Sequence, residues 1–591
     1  MKRRQLFLIL FFSLTCFILS REAFAGGVED LYTKREVYIP MRDSVRLHTA
    51  VYEPVGTAPG PIILIRTPYG VAPYGEGFAR SLDTWMRMYV SNGYVIVFQS
   101  VRGTYLSEGV FENIRPLKPE NAPWEQTDEA TDTYDTVEWL LANTRSNGKV
   151  GVKGVSYPGF YAMLAGLCGH PAIKAVSPQA PVTNWWIGDD IHHNGVWMLD
   201  SYSFIASISR ERKCPSEKGP SSLISIDRDI YDYFRQFPDF ASLTANLGEK
   251  VPFWDEMLEH VDYDGWWQER NVAGRLYDVK PAVLVVGGSY DAEDCYGALE
   301  TYRAIRSQSP GTEAFFVYGP WSHGGWNNFD YYVESVDYPF FAYYLEGKGM
   351  KPEPVRILPS RGVAGSSWCD DGADWITHEE WPVSGSGVKR MYLDRQNLSE
   401  RNPVLSRSRS YVSDPLDPVP YMKHRTNKRD KAYMAADQRF AEKRADVLTY
   451  RGELLTEDLL AEGPVSVHLD VSLSTSDADF IVKVIDELPD GCQMLVRGDV
   501  FRARYRNGFT SGEAVVPGKR TSMDFTLNDI AHIFGKGHRI VVQVQSTWYP
   551  LMAVQPQFFT DPYTTDAADY KPCSVRVFND SWVGLTIPSG K

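Results

Sequence analysis

One segment narrows the choice of folds more than any other: "SNGKVGVKGVSYPGFYAMLAGLCGH", residues 146–170. Its first half is a short β-branched run, as a buried strand requires. Its second half has helical spacing and ends in glycine. Between them lies Gly154-Val155-Ser156-Tyr157-Pro158-Gly159, with no room for a loop. A strand that turns into a helix within a residue or two belongs to a parallel sheet flanked by helices. The sharp turn strains the serine backbone and lifts its hydroxyl off the sheet, and the glycines let neighbouring backbone approach.

The surrounding chain agrees. "REVYIPMRDSVRLHTAVYE" (35–53) alternates apolar and polar residues around a turn, the pattern of a β-hairpin. "PIILIR" (61–66) and "YVIVFQS" (94–100) read as buried strands, and "FARSLDTWMRMYVSNG" (78–93) between them has helical spacing. "EATDTYDTVEWLLANT" (129–144) reads as a helix, and "PAVLVVGG" (281–288) and "EAFFVYG" (313–319) as further strands. From about 183 to 276 the chain is aromatic-rich and helical with no strand signal, which predicts an inserted cap. After about 352, runs such as "PVSVHLDVSLS", "DFIVKVIDEL" and "RIVVQVQS" alternate between turns, the pattern of an all-β sandwich. The expected organisation is a leader over 1–25, an α/β domain over 26–182 and 277–352, a helical cap over 183–276, and a β domain over 353–591. The charged run "KHRTNKRDK" (423–431) reads as a solvated loop.

A serine needs a base to become a nucleophile, and the base needs an acid to orient it. In this fold class the acid and the histidine follow the serine in that order. Asp291 stands just after "PAVLVVGG" and His323 just after "EAFFVYG", so both fall at the strand ends where Ser156 lies. Charge developing on the substrate oxygen needs donors. The N–H of Tyr157 is one, and Tyr69, after the strand 61–66, offers a phenol as the second.

The set "RTPYG", "VRGTYLSEG", "SNGKVGVKGVSYPGF", "GGSYD" and "GPWSHG" resembles the cocaine esterase and α-amino acid ester hydrolase family, with X-prolyl dipeptidyl peptidases as more distant relatives. The resemblance spans nearly the whole chain after the leader. It implies an α/β-hydrolase with a helical cap and a C-terminal jelly roll, the triad Ser156, Asp291 and His323, and an oxyanion hole of Tyr69 and the Tyr157 N–H. It also implies an ammonium-binding cluster of Asp190, Glu293 and Asp294, where "WWIGDDIHH" opens the cap with Asp189 and Asp190. Acids gathered at a pocket repel one another until a cation joins them. The sequence departs from the ester-hydrolase pattern at Pro158, at Ser289 and in "YPLMAVQP" (549–556), all of which bear on the shape of the acyl pocket.

The expected activity is a serine hydrolase working through an acyl-enzyme on small esters or amides whose acyl group carries a free α-amine. An X-Pro-type dipeptidyl peptidase, a general carboxylesterase and an inactive glycan-binding protein are the alternatives. A formal net charge of −14 argues against a nucleic-acid surface, and no metal, nucleotide or flavin motif appears, so no cofactor is expected. Lys2, Arg3 and Arg4, an apolar run and Ala23-Phe24-Ala25 read as a signal peptide cut after Ala25, which predicts a periplasmic or secreted protein without stable membrane insertion. Of the seven cysteines, Cys16 leaves with that leader. The other six are too sparse for a disulfide scaffold and have no CxxC spacing, though an oxidising compartment permits one or two bridges. Relatives in the family are often oligomers, so a homo-oligomer is an option that the sequence itself does not decide.

Overall fold

In a computed structural model of the chain, residues 27–119, 121–362 and 374–589 are described. The proposed leader and Cys369 lie outside them. A ten-stranded sheet forms the first layer. The hairpin is present: Tyr32–Pro40 pairs antiparallel with Arg46–Pro54, and Pro40 stands opposite Arg46. The sheet continues through Val95–Ser100, Gly60–Thr67, Ser146–Ser156, Ile173–Pro181, Ala282–Gly288, Ala314–Gly319 and Val355–Ile357, all parallel to one another. Their side chains are almost wholly buried, as expected of strands covered on both faces.

Helix Glu129–Asn143 starts on a capping box, in which Asp128 accepts from the Thr131 N–H and Thr131 reaches back. The region 78–93 holds less helix than its spacing predicts. Only a 3-10 turn at Arg80–Asp83 and a short helix at Arg87–Ser91 form. The cap is built from short helices, among them Tyr202–Ile208, Phe240–Leu247 and Pro252–Leu258. It also holds a strand pair that the sequence reading missed, His192–His193 against Val196–Trp197. Asn194 and Gly195 turn it with φ of 50° and 74°, both left-handed.

The C-terminal region is a twelve-stranded, mostly antiparallel assembly. Leu459–Leu473, Asp479–Glu487 and Arg539–Gln545 carry the alternating runs noted in the sequence. The α/β sheet does not end at 352, however. Val355–Ile357 extends it in parallel and Ile376–His378 closes its edge antiparallel. The architecture is an α/β-hydrolase sheet with a helical cap and a C-terminal all-β domain. Cys168, Cys214, Cys295, Cys492 and Cys573 are all free thiols, so no bridge forms among the described cysteines. No helix among the described residues is long and apolar enough to cross a membrane.

Strand Ser146–Ser156 runs straight into helix Tyr157–Ala165, and Ser156 takes φ 68° and ψ −130° at the junction. A non-glycine residue there costs on the order of 1–3 kcal/mol, so the surroundings must hold it. The two glycines provide the room. A Cβ on Gly154 would lie 2.4 Å from the Pro158 carbonyl carbon, and one on Gly159 would lie 2.6 Å from the Gln179 carbonyl oxygen. Gly154→Ala should therefore push the helix off the strand and destabilise the protein by about 1–3 kcal/mol. Gly311→Ala, where nothing lies within 4 Å, should change stability by less than about 0.5 kcal/mol. Thermal unfolding of the two variants checks this, and equal melting temperatures would show that the elbow is not tightly packed.

Candidate active site

The strand ends bearing Asp291 and His323 meet, and Gly324, next to His323, lies beside Val155, next to Ser156. Asp291 sits in the turn after Ala282–Gly288, and His323 in the loop after Ala314–Gly319. The His323 Nδ1 lies 3.0 Å and 2.9 Å from the two Asp291 carboxylate oxygens. Asp291 Oδ1 also accepts the N–H groups of Glu293 (2.9 Å) and Asp294 (3.1 Å). Burial alone would raise the Asp291 pKa. The imidazole and the two N–H groups overcome it and hold the group below the ordinary carboxylate value. For His323, burial favours the neutral ring, but Asp291, Glu293 and Asp190 together push its pKa up to about 9.

Tyr69 follows strand Gly60–Thr67. The residue exposes 45% of its surface, yet its hydroxyl end is buried near the Ser156 side chain. Burial of that end, then the charges of Asp190 and Asp294, keep the phenol protonated far above its ordinary range, so it remains a donor. Tyr157 divides its roles. Its hydroxyl accepts the Ile114 N–H (2.6 Å) and donates to Asn113 Oδ1 (3.2 Å). Its ring stacks on Tyr161 at 5.4 Å and meets Tyr69 and Trp185 edge-on. Its backbone N–H, at the first position of the helix, has no intrahelical acceptor.

The structure brings Asp190, Glu293 and Asp294 together, and they differ sharply. Asp190 accepts from Trp185 Nε1 (3.0 Å), and its N–H donates to the Glu293 carbonyl (3.1 Å), which ties the cap entry to the turn bearing Asp291. Asp294 is fully buried, and neither of its carboxylate oxygens has a hydrogen-bond partner. Burial, then Asp190, Asp189, Asp291 and Glu293, raise its pKa well above the carboxylate range. Glu293 stands 3.5 Å from His323 Nδ1 and already carries counter-charges: Arg429 pairs with it, and Lys431 Nζ is 2.9 Å away. Asp189, the other acid at the cap entry, has a bracing role. It accepts from the Thr183 N–H and hydroxyl, the Asn184 N–H and the Gly297 N–H.

The run 423–431 is therefore only partly the solvated loop that the sequence suggests. Lys423, His424 and Arg425 are exposed. Arg429 is 12% exposed and pairs with Asp200 and Glu293. A signal for this does exist in the sequence: the acids of "YDAED" need cations, and this run is dense in them. Sequence reasoning also missed Arg497, on strand Gln493–Arg502. Its Nη2 donates to the carbonyls of Ser289 and Asp529, each at 2.8 Å, so the β domain holds the turn bearing Asp291.

Asp291, Glu293 and His323 place donor atoms within 4.8 Å of one another, a spacing that would suit a metal ion. Those donors are already engaged with each other and with Arg429 and Lys431, so the set reads as an ion-pair network instead.

Two family models match the chain. One, X-Pro dipeptidyl-peptidase (S15 family), covers residues 43–325, and the other, X-Pro dipeptidyl-peptidase C-terminal non-catalytic domain, covers 348–571. The chain is 28% identical to a cocaine esterase from Rhodococcus sp. (strain MB1 Bresler), over 87% of this chain and 90% of that protein. A solved α-amino acid ester hydrolase superposes with a TM-score of 0.87 at 32% identity, covering 96% of this chain and 99% of the other. An aminopeptidase from a marine sediment archaeon, Thaumarchaeota archaeon, also gives 0.87, at 31% identity over 96% and 98%.

The acidic surroundings of His323 can be measured directly. Its ring should titrate near 9 by NMR of selectively labelled histidine. Glu293→Gln removes an anion 3.5 Å from Nδ1 and leaves Arg429 and Lys431 unbalanced. Both changes favour the neutral ring, so proton affinity should fall by roughly a factor of ten or more. An unchanged titration would mean that Glu293 does not act on the ring.

Proposed function

The chain belongs to the cocaine esterase and α-amino acid ester hydrolase family of X-Pro dipeptidyl-peptidase-like serine hydrolases, and from that membership we propose that it cleaves esters or amides whose acyl group carries a free α-amine. Ser156 Oγ attacks the acyl carbon and gives its proton to His323 Nε2, since Nδ1 is committed to Asp291. The oxyanion accepts from the Tyr69 hydroxyl and the Tyr157 N–H. Collapse expels the leaving group with the proton from Nε2, and water then releases the acyl-enzyme by the same route.

The observation that carries the acyl preference is Asp294. A buried carboxyl whose oxygens accept no hydrogen bond, with His323 Nδ1 4.0 Å away and Asp190 close by, is costly in a folded protein. An ammonium ion supplies the missing donors and the missing charge. Glu293, balanced by Arg429 and Lys431, adds less to that seat than the other two acids. The same seat would serve an aminopeptidase, the activity named for the similar archaeal structure, with an amide in place of the ester. The basic and apolar start of the chain supports a periplasmic or secreted location.

The deciding comparison is an amino acid methyl ester against its des-amino analogue. Asp190→Asn should lower kcat/KM for the amino ester roughly tenfold or more beyond any effect on the analogue, since a hydrogen bond to a charged group is worth about 1.5–3 kcal/mol. Equal losses on both substrates would reduce the reading to a general carboxylesterase. Tyr69→Phe should lower kcat on either substrate by roughly 10²–10³ with KM little changed. A kcat within about twofold of the parent would place Tyr69 outside the oxyanion hole.

A further inference from the structure

Four buried side chains are linked in a row that the mechanism above leaves unused. Lys153 stands three residues before Ser156 on the same strand, and its Nζ pairs with Asp337. Asp337 closes a π-helical turn, Val333–Asp337, and also accepts from the Tyr89 hydroxyl (2.7 Å) and from Gln179 Nε2 (3.1 Å). Gln179 Oε1 in turn accepts from Trp326 Nε1 (2.8 Å). Trp326 lies three residues after His323, in the turn Gly325–Asn328. Lys153, Gln179, Trp326 and Asp337 each expose 2% of their surface or less.

Donor and acceptor roles fix the direction of this row. An indole N–H only donates, so Gln179 must turn its oxygen to Trp326 and its NH2 group to Asp337. That NH2 group also donates to Ser177 Oγ (3.1 Å), so the whole amide is engaged. Asp337 must then accept, which Lys153 and Tyr89 also require of it. Gln179 is the register partner of Val155, the residue before Ser156, across the parallel strand pair. From the other side, a Cβ on Gly324 would lie 3.5 Å from Val155 Cγ1. One amide is therefore shared by the strand that ends in Ser156 and the loop that carries His323. A buried ion pair is a weak source of stability, since well-packed apolar residues often serve as well. The Lys153–Asp337 pair is better explained by what it orients than by what it stabilises.

We propose that Gln179 and Asp337 are positioning residues for the proton transfer between Ser156 and His323. The inference rests on the triad assigned above. Gln179 holds the His323 loop through Trp326. Asp337, charged and paired with Lys153, holds Gln179 in the one amide orientation that can do so. Neither side chain touches the substrate. Together they set the distance from Ser156 Oγ to His323 Nε2, across which the Ser156 proton passes as the bond from Oγ to the acyl carbon forms.

Gln179→Met keeps the length of the side chain and removes its hydrogen bonds. On phenylalanine methyl ester it should lower kcat by roughly ten- to a hundredfold, the scale of a small misplacement of reacting groups, with KM within about twofold. The rate at which a fluorophosphonate labels Ser156 should fall in proportion, because that reaction needs the same proton transfer and no acyl recognition. Gln179→Glu tests the same link at unchanged shape. Its carboxylate can accept from Trp326 but cannot donate to Asp337 until it is protonated, with Asp337, Lys153, Tyr89 and Tyr332 around it. The neighbouring Asp337 charge favours that protonation. The kcat of Gln179→Glu relative to the parent should therefore rise as the pH falls from about 8 to about 5, a ratio from which the titration of His323 cancels. A kcat within about twofold of the parent in Gln179→Met, a KM that shifts along with kcat, or a pH-independent ratio in Gln179→Glu overturns the proposal. Should Gln179→Met fail to fold, the ratio in Gln179→Glu decides alone. The triad is judged separately: turnover retained by Ser156→Ala removes it, whatever the Gln179 variants do.

Discussion

Three carboxylates within four residues, Asp291, Glu293 and Asp294, are set into a turn with little access to water, and two more, Asp189 and Asp190, arrive from the cap. Such charges repel strongly in a medium less polarisable than water. Each finds its own relief. Asp291 takes an imidazole and two backbone N–H groups, Asp189 takes four donors, Glu293 takes Arg429 and Lys431, and Asp294 is driven toward its neutral form. The relief comes from the cap, from the sheet and from the β domain. The three regions are therefore held in one electrostatic arrangement around the turn.

This gives the C-terminal domain a definite part in the site. Arg497 grips the carbonyl of Ser289, two residues before Asp291, and Arg303 of the helix that follows the turn pairs with Asp529. Tyr318, on the strand leading to His323, donates to the Asp529 carbonyl. A domain that matches a model described as non-catalytic thus contacts both strand ends that carry Asp291 and His323.

What could be read from the sequence was what depends on neighbours in the chain. The strand-to-helix junction at Ser156 is local, and so are the strands before Asp291 and His323, so the two residues placed at those strand ends came together in space. The hairpin at His192–Trp197 was local too. Asn194-Gly195 is a strong turn signal, but arms of two residues give no alternation to notice. The arrangements that escaped were pairings across long separations. Arg429 reaching Glu293 spans 136 residues and Arg497 reaching Ser289 spans 208, and neither leaves a periodic trace. The helix expected over 78–93 failed for a related reason. Leu82, Met86 and Tyr89 are buried in the core beside the sheet, and tertiary packing there outweighs the helical spacing.

The carboxyl of Asp294, which accepts no hydrogen bond, also bears on the order of events at the serine. Asp291, Glu293 and Asp190 favour the protonated ring of His323 and push its pKa up to about 9. In the proposed complex, an ammonium ion seated at Asp294 and Asp190 cancels part of the field that keeps that proton in place. The ring would then yield its proton more readily, and the nucleophile would gain its acceptor. Selectivity for a charged acyl group would then reside in the timing of activation as well as in the strength of binding, and a neutral ester that fits equally well would meet an enzyme still on safety.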